Sequence, residues 1–184
     1  ALHKFVAMRV ESGCDALIVH ARKAWLSGLS PKQNREVPPL RYDVVYGLKA
    51  AFPALDITLN GGLESLDAAA AALENVDGVM IGRTAYKDPW VLAGVDERFF
   101  GDPAPVSSRA EAILNYVPYM EAQRDAGVPL IAMTRHILGL FNGVPGARAW
   151  RRYLSQNTTG ADAGVDIVRE ALALVQEQAQ ANAA

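Results

Sequence analysis

Two short apolar runs, each closing in glycine, constrain this chain more than any other feature: Asp56-Ile57-Thr58-Leu59-Asn60-Gly61-Gly62-Leu63 and Gly78-Val79-Met80-Ile81-Gly82-Arg83. Runs of this length without polar alternation suit parallel strands covered on both faces, and each precedes a segment of helical pattern. That makes two consecutive β-strand/α-helix units. Glycine at the carboxyl end of a strand lets the backbone turn sharply and bring N–H groups against a ligand, and a helix N-terminus behind it favours an anion. A phosphate suits that place. Arg83, directly after Gly82, adds a permanently charged, planar donor fork. The same residues also read as two ordinary tight turns with an exposed arginine.

A third buried strand, Ala16-Leu17-Ile18-Val19-His20, precedes these two and ends in a polar residue where they end in glycine. Residues 21 to 40 follow as a long loop, in which Pro31, Pro38 and Pro39 argue against regular structure. Arg41 to Phe52 reads as a helix stopped by Pro53, and Ser65 caps an alanine-rich helix through Leu73. Three βα units in register predict a parallel sheet with helices on its faces. Ala1 to Gly13 reads as a helix already under way, so the chain is expected to be a fragment.

Past Trp90 the texture changes. Gly101-Asp102-Pro103-Ala104-Pro105 has a linker's composition, and every later pattern is helical. Helices are expected from Ser107 or Ser108 to Ala126, from Leu130 to Phe141, from Ala147 to Leu154, and from near Asp162, where Val165, Val168, Leu172 and Val175 repeat at helical spacing. The expected division is therefore residues 1–100 as an α/β part, 101–106 as a linker and 107–184 as an all-α helical bundle.

The 184 residues are 51% hydrophobic with a net charge of -2, which excludes a disordered tail and predicts no nucleic-acid partner from charge alone. The distribution is uneven, however. Residues 22 to 41 hold Arg22, Lys23, Lys32, Arg35 and Arg41 against Glu36 alone, and residues 135 to 152 hold Arg135, Arg148, Arg151 and Arg152 with no acid. Two such clusters suit either a polyanion or two solvated faces. The single cysteine, Cys14, leaves no internal disulfide and no zinc spacing, so no metal site is expected. With neither a membrane-length apolar run nor a signal pattern, the expected address is cytoplasmic.

In a closed barrel of eight βα units, reactive groups sit at the carboxyl ends of the strands and a phosphate site is built by the last two. The glycine-bearing ends here are the last two before the linker, with His20 ending the strand before them. The order predicts the back half of a (β/α)8 TIM barrel, as three βα units, followed by the bundle. His20 suits a cofactor ring or a satisfied place in the barrel mouth; His3 and His136, within helical patterns, read as structural.

The stretch His20-Ala21-Arg22-Lys23-Ala24-Trp25-Leu26-Ser27-Gly28-Leu29-Ser30-Pro31-Lys32-Gln33-Asn34-Arg35-Glu36, running on to Leu40, resembles the signature loop of the tRNA-dihydrouridine synthases, most closely their A-type subfamily. Asn60-Gly61-Gly62, Ile81-Gly82-Arg83 and Gly146-Ala147-Arg148-Ala149-Trp150-Arg151-Arg152 extend the resemblance over essentially the whole chain. It implies an FMN enzyme that uses NADPH to reduce uridine in the tRNA D-loop, with an amino-terminal barrel and a helical domain that grips tRNA. It also implies that His20 contacts the flavin, that Asn60, Gly61, Gly62, Gly82 and Arg83 hold its phosphate, and that Lys32, Arg35, Arg148 and Arg151 touch tRNA. Trp25 and Trp150 read as packing residues, with stacking on bases as the alternative.

The family also carries, ahead of the region present here, the first barrel strands, a general-acid cysteine and a lysine on the flavin. Cys14 falls just before a strand, at the end of the barrel away from the chemistry, and cannot replace that acid. No catalytic residue is assigned, and the chain alone is expected to be inert. Two further readings stand beside this one: a tRNA-binding module without chemistry, and a half-barrel that pairs with a second copy to cover its exposed strands.

Overall fold

The computed structural model describes residues 1–182, and the chain divides into two compact units, one spanning Ala1–Thr84 and one beginning at Ala85. In the first unit, helix α1 (Leu2–Glu11) leads through Gly13, at φ +85°, into strand β1 (Ala16–His20). A single helical turn, α2 (Pro31–Asn34), interrupts the long loop; α3 (Tyr42–Ala51), β2 (Asp56–Asn60), α4 (Leu66–Leu73) and β3 (Gly78–Met80) follow. The short helix α5 (Arg83–Lys87) runs across the division.

The three strands form one parallel sheet in the order β1-β2-β3, as the three βα units require. Register pairs His20 with Asn60 and Asn60 with Met80, so the carboxyl ends of the strands lie in one row. Alternation then assigns the two faces. Leu17, Val19, Ile57, Leu59 and Val79 join Val6, Val45, Leu48 and Ala72 in one apolar cluster under the helices. Full burial of a side chain such as Leu48, Ile57 or Leu59 contributes about 1.5–3 kcal/mol. The opposite face, carrying Ile18, His20, Thr58, Asn60 and Met80, lies open, with Ile18 59% exposed. Asp77 ties the helical layer to β2: its carboxylate accepts from the Ile57 N–H and from Lys49, whose ammonium also bonds the Pro53 and Leu55 carbonyls.

The turn at Pro31 corrects the expectation of a loop without regular structure. Proline is tolerated at a first helical position, and Ser30 and Gln33 form a reciprocal capping box around it. β3 also ends at Met80, ahead of Ile81 and Gly82.

The second unit is helical throughout its described elements. A 3-10 turn (Pro89–Gly94) and a π-helical turn (Asp96–Phe100) precede α6 (Arg109–Asp125), α7 (Leu130–Thr134), α8 (Ala147–Asn157) and α9 (Asp166–Ala181). Ser108 caps α6 and Gly127, at φ +85°, ends it, as the sequence indicates. Trp90 packs on this unit's core beneath the Arg109 guanidinium, so the division by compactness falls before the composition break at 101–106. Trp150 is fully buried against Phe141, with Val168, Leu172 and Val175 of α9 in the same core.

α7 stops at Thr134 rather than Phe141. Beyond it the backbone tightens into i to i+3 bonds, and tertiary donors take its carbonyls: Trp150 Nε1 bonds Ile137 and Arg109 Nε bonds Leu140. Gly139 also lies directly on the Lys87 carbonyl, where no side chain fits. No helix among the described residues is long and apolar enough to cross a membrane.

Candidate functional site

The carboxyl ends of the strands carry the first cluster. Strand β1 delivers His20, and the chain continues beside β2 through the bond from Ala21 N–H to the Asn60 carbonyl at 2.8 Å. After Asn60 the backbone turns through Gly61 at φ +116° and Gly62 at φ +72°, angles that side chains rarely adopt. A Cβ on Gly61 would stand 3.0 Å from His20 Cε1, so the missing side chain is what admits the imidazole. The Tyr42 hydroxyl donates to the Gly61 carbonyl at 2.7 Å and fixes the turn. Among the described residues, the N–H groups of Gly61 and Gly62 donate to no backbone carbonyl. They form a cradle of unspent donors.

Electropositive surroundings match that cradle. On the open face, the His20 ring is lowered from the ordinary histidine value by partial desolvation, then by Arg22 and Arg83, which favours its neutral form. Arg22 reaches the Glu36 and Pro38 carbonyls through Nη1, while its buried Nε has no partner. Gly82 is exposed with ordinary backbone angles, and nothing stands where its side chain would be. Arg83 does not wait on an empty site: Nη1 donates to Glu36 Oε1 at 2.8 Å and Nη2 to the Arg35 carbonyl at 3.2 Å.

Of the residues singled out by sequence, His20, Asn60, Gly61, Gly62 and Arg83 therefore share one site, and Arg35 meets it through its carbonyl. Lys32 lies on the exposed turn α2. Arg148 and Arg151 lie on α8 in the second unit, whose other face buries Ala149, Trp150 and Leu154. Arg151 Nη1 bonds Asn142 Oδ1 at 2.7 Å, and Asn142 in turn donates to the Lys87 carbonyl. Sequence reasoning missed Tyr42, the orphaned Nε of Arg22, and Glu36 as the counter-charge to Arg83. Only the last left a signal, as the one acid in a basic loop.

One single residue also departs from expectation: Trp150 packs, but Trp25, read as a packing residue, is 46% exposed. His136, read as structural, is exposed, accepts from Arg135 Nε at Nε2, and meets the Tyr86 hydroxyl at Nδ1. No group of acids, histidines and cysteine among the described residues is arranged to hold a metal ion.

Comparison with known proteins places the chain in a family. The family model described as dihydrouridine synthase (Dus) matches residues 1–183. A tRNA-dihydrouridine(20/20a) synthase of Shewanella oneidensis is 51% identical over 175 residues, 95% of this chain and 52% of that protein. Proteins of the same name from Yersinia pestis and Escherichia coli K12 are 53% and 50% identical, over 95% and 90% of this chain and 51% and 48% of their own lengths. The chain thus spans about half the length of the curated relatives it matches.

Proposed function

Because this chain belongs to the dihydrouridine synthase family, we propose that it supplies one side of an FMN site and an RNA-gripping surface to a tRNA-dihydrouridine synthase of the 20/20a type. The observation that carries the reading is the meeting of His20, the Asn60-Gly61-Gly62 turn and Arg83 at the ends of three parallel strands. A parallel sheet with one bare face is uncommon, because its crossover helices normally leave both faces covered. Three strands of a (β/α)8 barrel explain it: the open face, with Ile18, Thr58 and Met80, is the barrel's inner wall, which further strands would cover.

The residues fit a flavin phosphate. Gly61 and Gly62 offer free N–H groups in a turn whose Cβ positions are taken by His20, Leu40 and Tyr42, and Arg83 can exchange a half-exposed carboxylate for a dianion. FMN, when bound, supplies the hydride that reduces the uridine ring, with NADPH as the reductant that restores it. The neutral His20 would orient the ring system by a hydrogen bond without adding charge beside it. Lys32 and Arg35 on the loop, with Arg148 and Arg151 on α8, would hold phosphates of a folded tRNA.

Reduction also needs a proton delivered to the second ring carbon by a positioned acid. Cys14, the single thiol, lies at the amino end of β1, where its Sγ donates to the Ala16 carbonyl. The chain alone should therefore reduce no uridine. Anisotropy of a labelled, unmodified tRNA transcript tests the reading. Binding should weaken steeply with salt, and Arg148→Ala or Arg151→Ala should each lower the log–log slope by about one. A transcript that stays unbound at about 50 mM salt, or binding indifferent to salt, would sink it.

A further inference from the structure

The loop between β1 and α3 is held more firmly than its length suggests. Arg22 and Leu40 pair as an antiparallel bridge at its base, and the Arg22 guanidinium bonds the Glu36 and Pro38 carbonyls. The Asn34 side chain clamps both backbone groups of Trp25, accepting from its N–H at 2.7 Å and donating to its carbonyl at 2.9 Å. On this fixed turn Trp25 is 46% exposed and Leu26 is 99% exposed. An isolated exposed leucine needs no explanation, but two adjacent large apolar side chains on a clamped tip point to an insertion element.

The charge around the tip identifies its partner. Glu36 is taken up by Arg83, while Lys23, Lys32 and Arg35 have no acidic partner among the described residues. An apolar tip among cations matches a polyanion whose interior is apolar, which describes a stacked nucleic acid. Proteins that open such a stack insert an apolar wedge, and an enzyme that works on a base must first take that base out of the stack.

We propose that Trp25 and Leu26 form a wedge that enters a tRNA loop, Leu26 filling the gap left by a base turned outward and Trp25 stacking on its neighbour. Lys23, Lys32 and Arg35 hold the phosphates alongside. The proposal rests on the reading of this family member as a tRNA-binding protein, and adds residues that open the RNA rather than merely attract it.

The test uses the 184-residue chain and an unmodified tRNA transcript with 2-aminopurine beside the target uridine in the D-loop. Unstacking raises 2-aminopurine emission, so binding should brighten it and quench the Trp25 emission that Trp25→Phe removes. Leu26→Ala should abolish most of the brightening and weaken binding by about fivefold or more, the lower end of what one stacked contact contributes. Salt-dependent binding without brightening, or Leu26→Ala behaving as wild type, would overturn the wedge and leave the RNA reading intact. A wild-type chain that binds no transcript would overturn both. Two further outcomes would also overturn the wedge: a lower thermal midpoint in Leu26→Ala, which would make Leu26 a packing residue, or a changed sedimentation coefficient, which would make the tip a self-interface.

Discussion

The guanidinium of Arg83 is bound to the carboxylate of Glu36 at 2.8 Å, across 47 positions of the chain. This pair joins the residue after the last strand's glycine to the loop after the first strand, and it places a built-in anion where a cofactor phosphate is proposed to sit. Both partners are about half-exposed, so the pair contributes no more than about 1 kcal/mol.

Glu36→Gln removes the competing anion while keeping the side chain's size. Affinity for inorganic phosphate, followed through shifts of the Gly61 and Gly62 amides, should rise by about two- to fivefold, with little change in thermal midpoint. Unchanged or weaker phosphate binding would show that Glu36 does not compete.

His20 should titrate below 6.5, the ordinary value from which burial, Arg22 and Arg83 lower it. A depressed value means that the unfolded chain takes up the proton first. The stabilisation is therefore complete above pH 6.5 and is lost as pH falls through the folded value. The ring's proton resonance should place the midpoint under 6.5, and Arg83→Gln should raise it. A wild-type midpoint at or above 6.5 would refute the electropositive setting.

Gly61→Ala should injure the site locally. The new methyl would meet the His20 ring at 3.0 Å from a backbone angle of +116°, at a cost of about 1–2 kcal/mol or more. The His20 resonances should shift and the thermal midpoint fall, whereas an unperturbed ring would mean that the turn and the histidine are independent.

Trp150→Ala should unfold the surface that carries Arg148 and Arg151. It removes a fully buried ring, its contact with Phe141 and its bond to the Ile137 carbonyl, for a loss of about 3–5 kcal/mol. Far-UV circular dichroism on heating would report it. Trp150→Phe keeps most of the packing and loses one hydrogen bond to a carbonyl that still accepts from the Leu140 N–H, and should cost about 0.5–1.5 kcal/mol.

Where local chemistry decided the outcome, the sequence was a sufficient guide. β1 and β2 occupy the expected residues because each is an apolar run between turn-forming neighbours, and α6 ends at Gly127 for the same kind of reason. The meeting of His20 with the Asn60-Gly61-Gly62 turn was legible through strand order. What escaped was set by tertiary partners. The helix after Leu130 ends at Thr134 because Trp150 and Arg109 claim the carbonyls beyond it. Trp25 stays on the surface because Asn34 holds its backbone and leaves the ring outside. The Arg83–Glu36 pair depends on a fold of the loop that no short-range pattern encodes.

If the Gly61-Gly62 turn and Arg83 receive a flavin phosphate, this chain must distinguish FMN from riboflavin. Titrated into this chain by calorimetry, FMN should bind about tenfold more tightly than riboflavin, a difference of about 1.4 kcal/mol, and Arg83→Gln should erase the difference. Equal affinity for the two flavins, no uptake of FMN, or a preference that survives in Arg83→Gln would contradict the account.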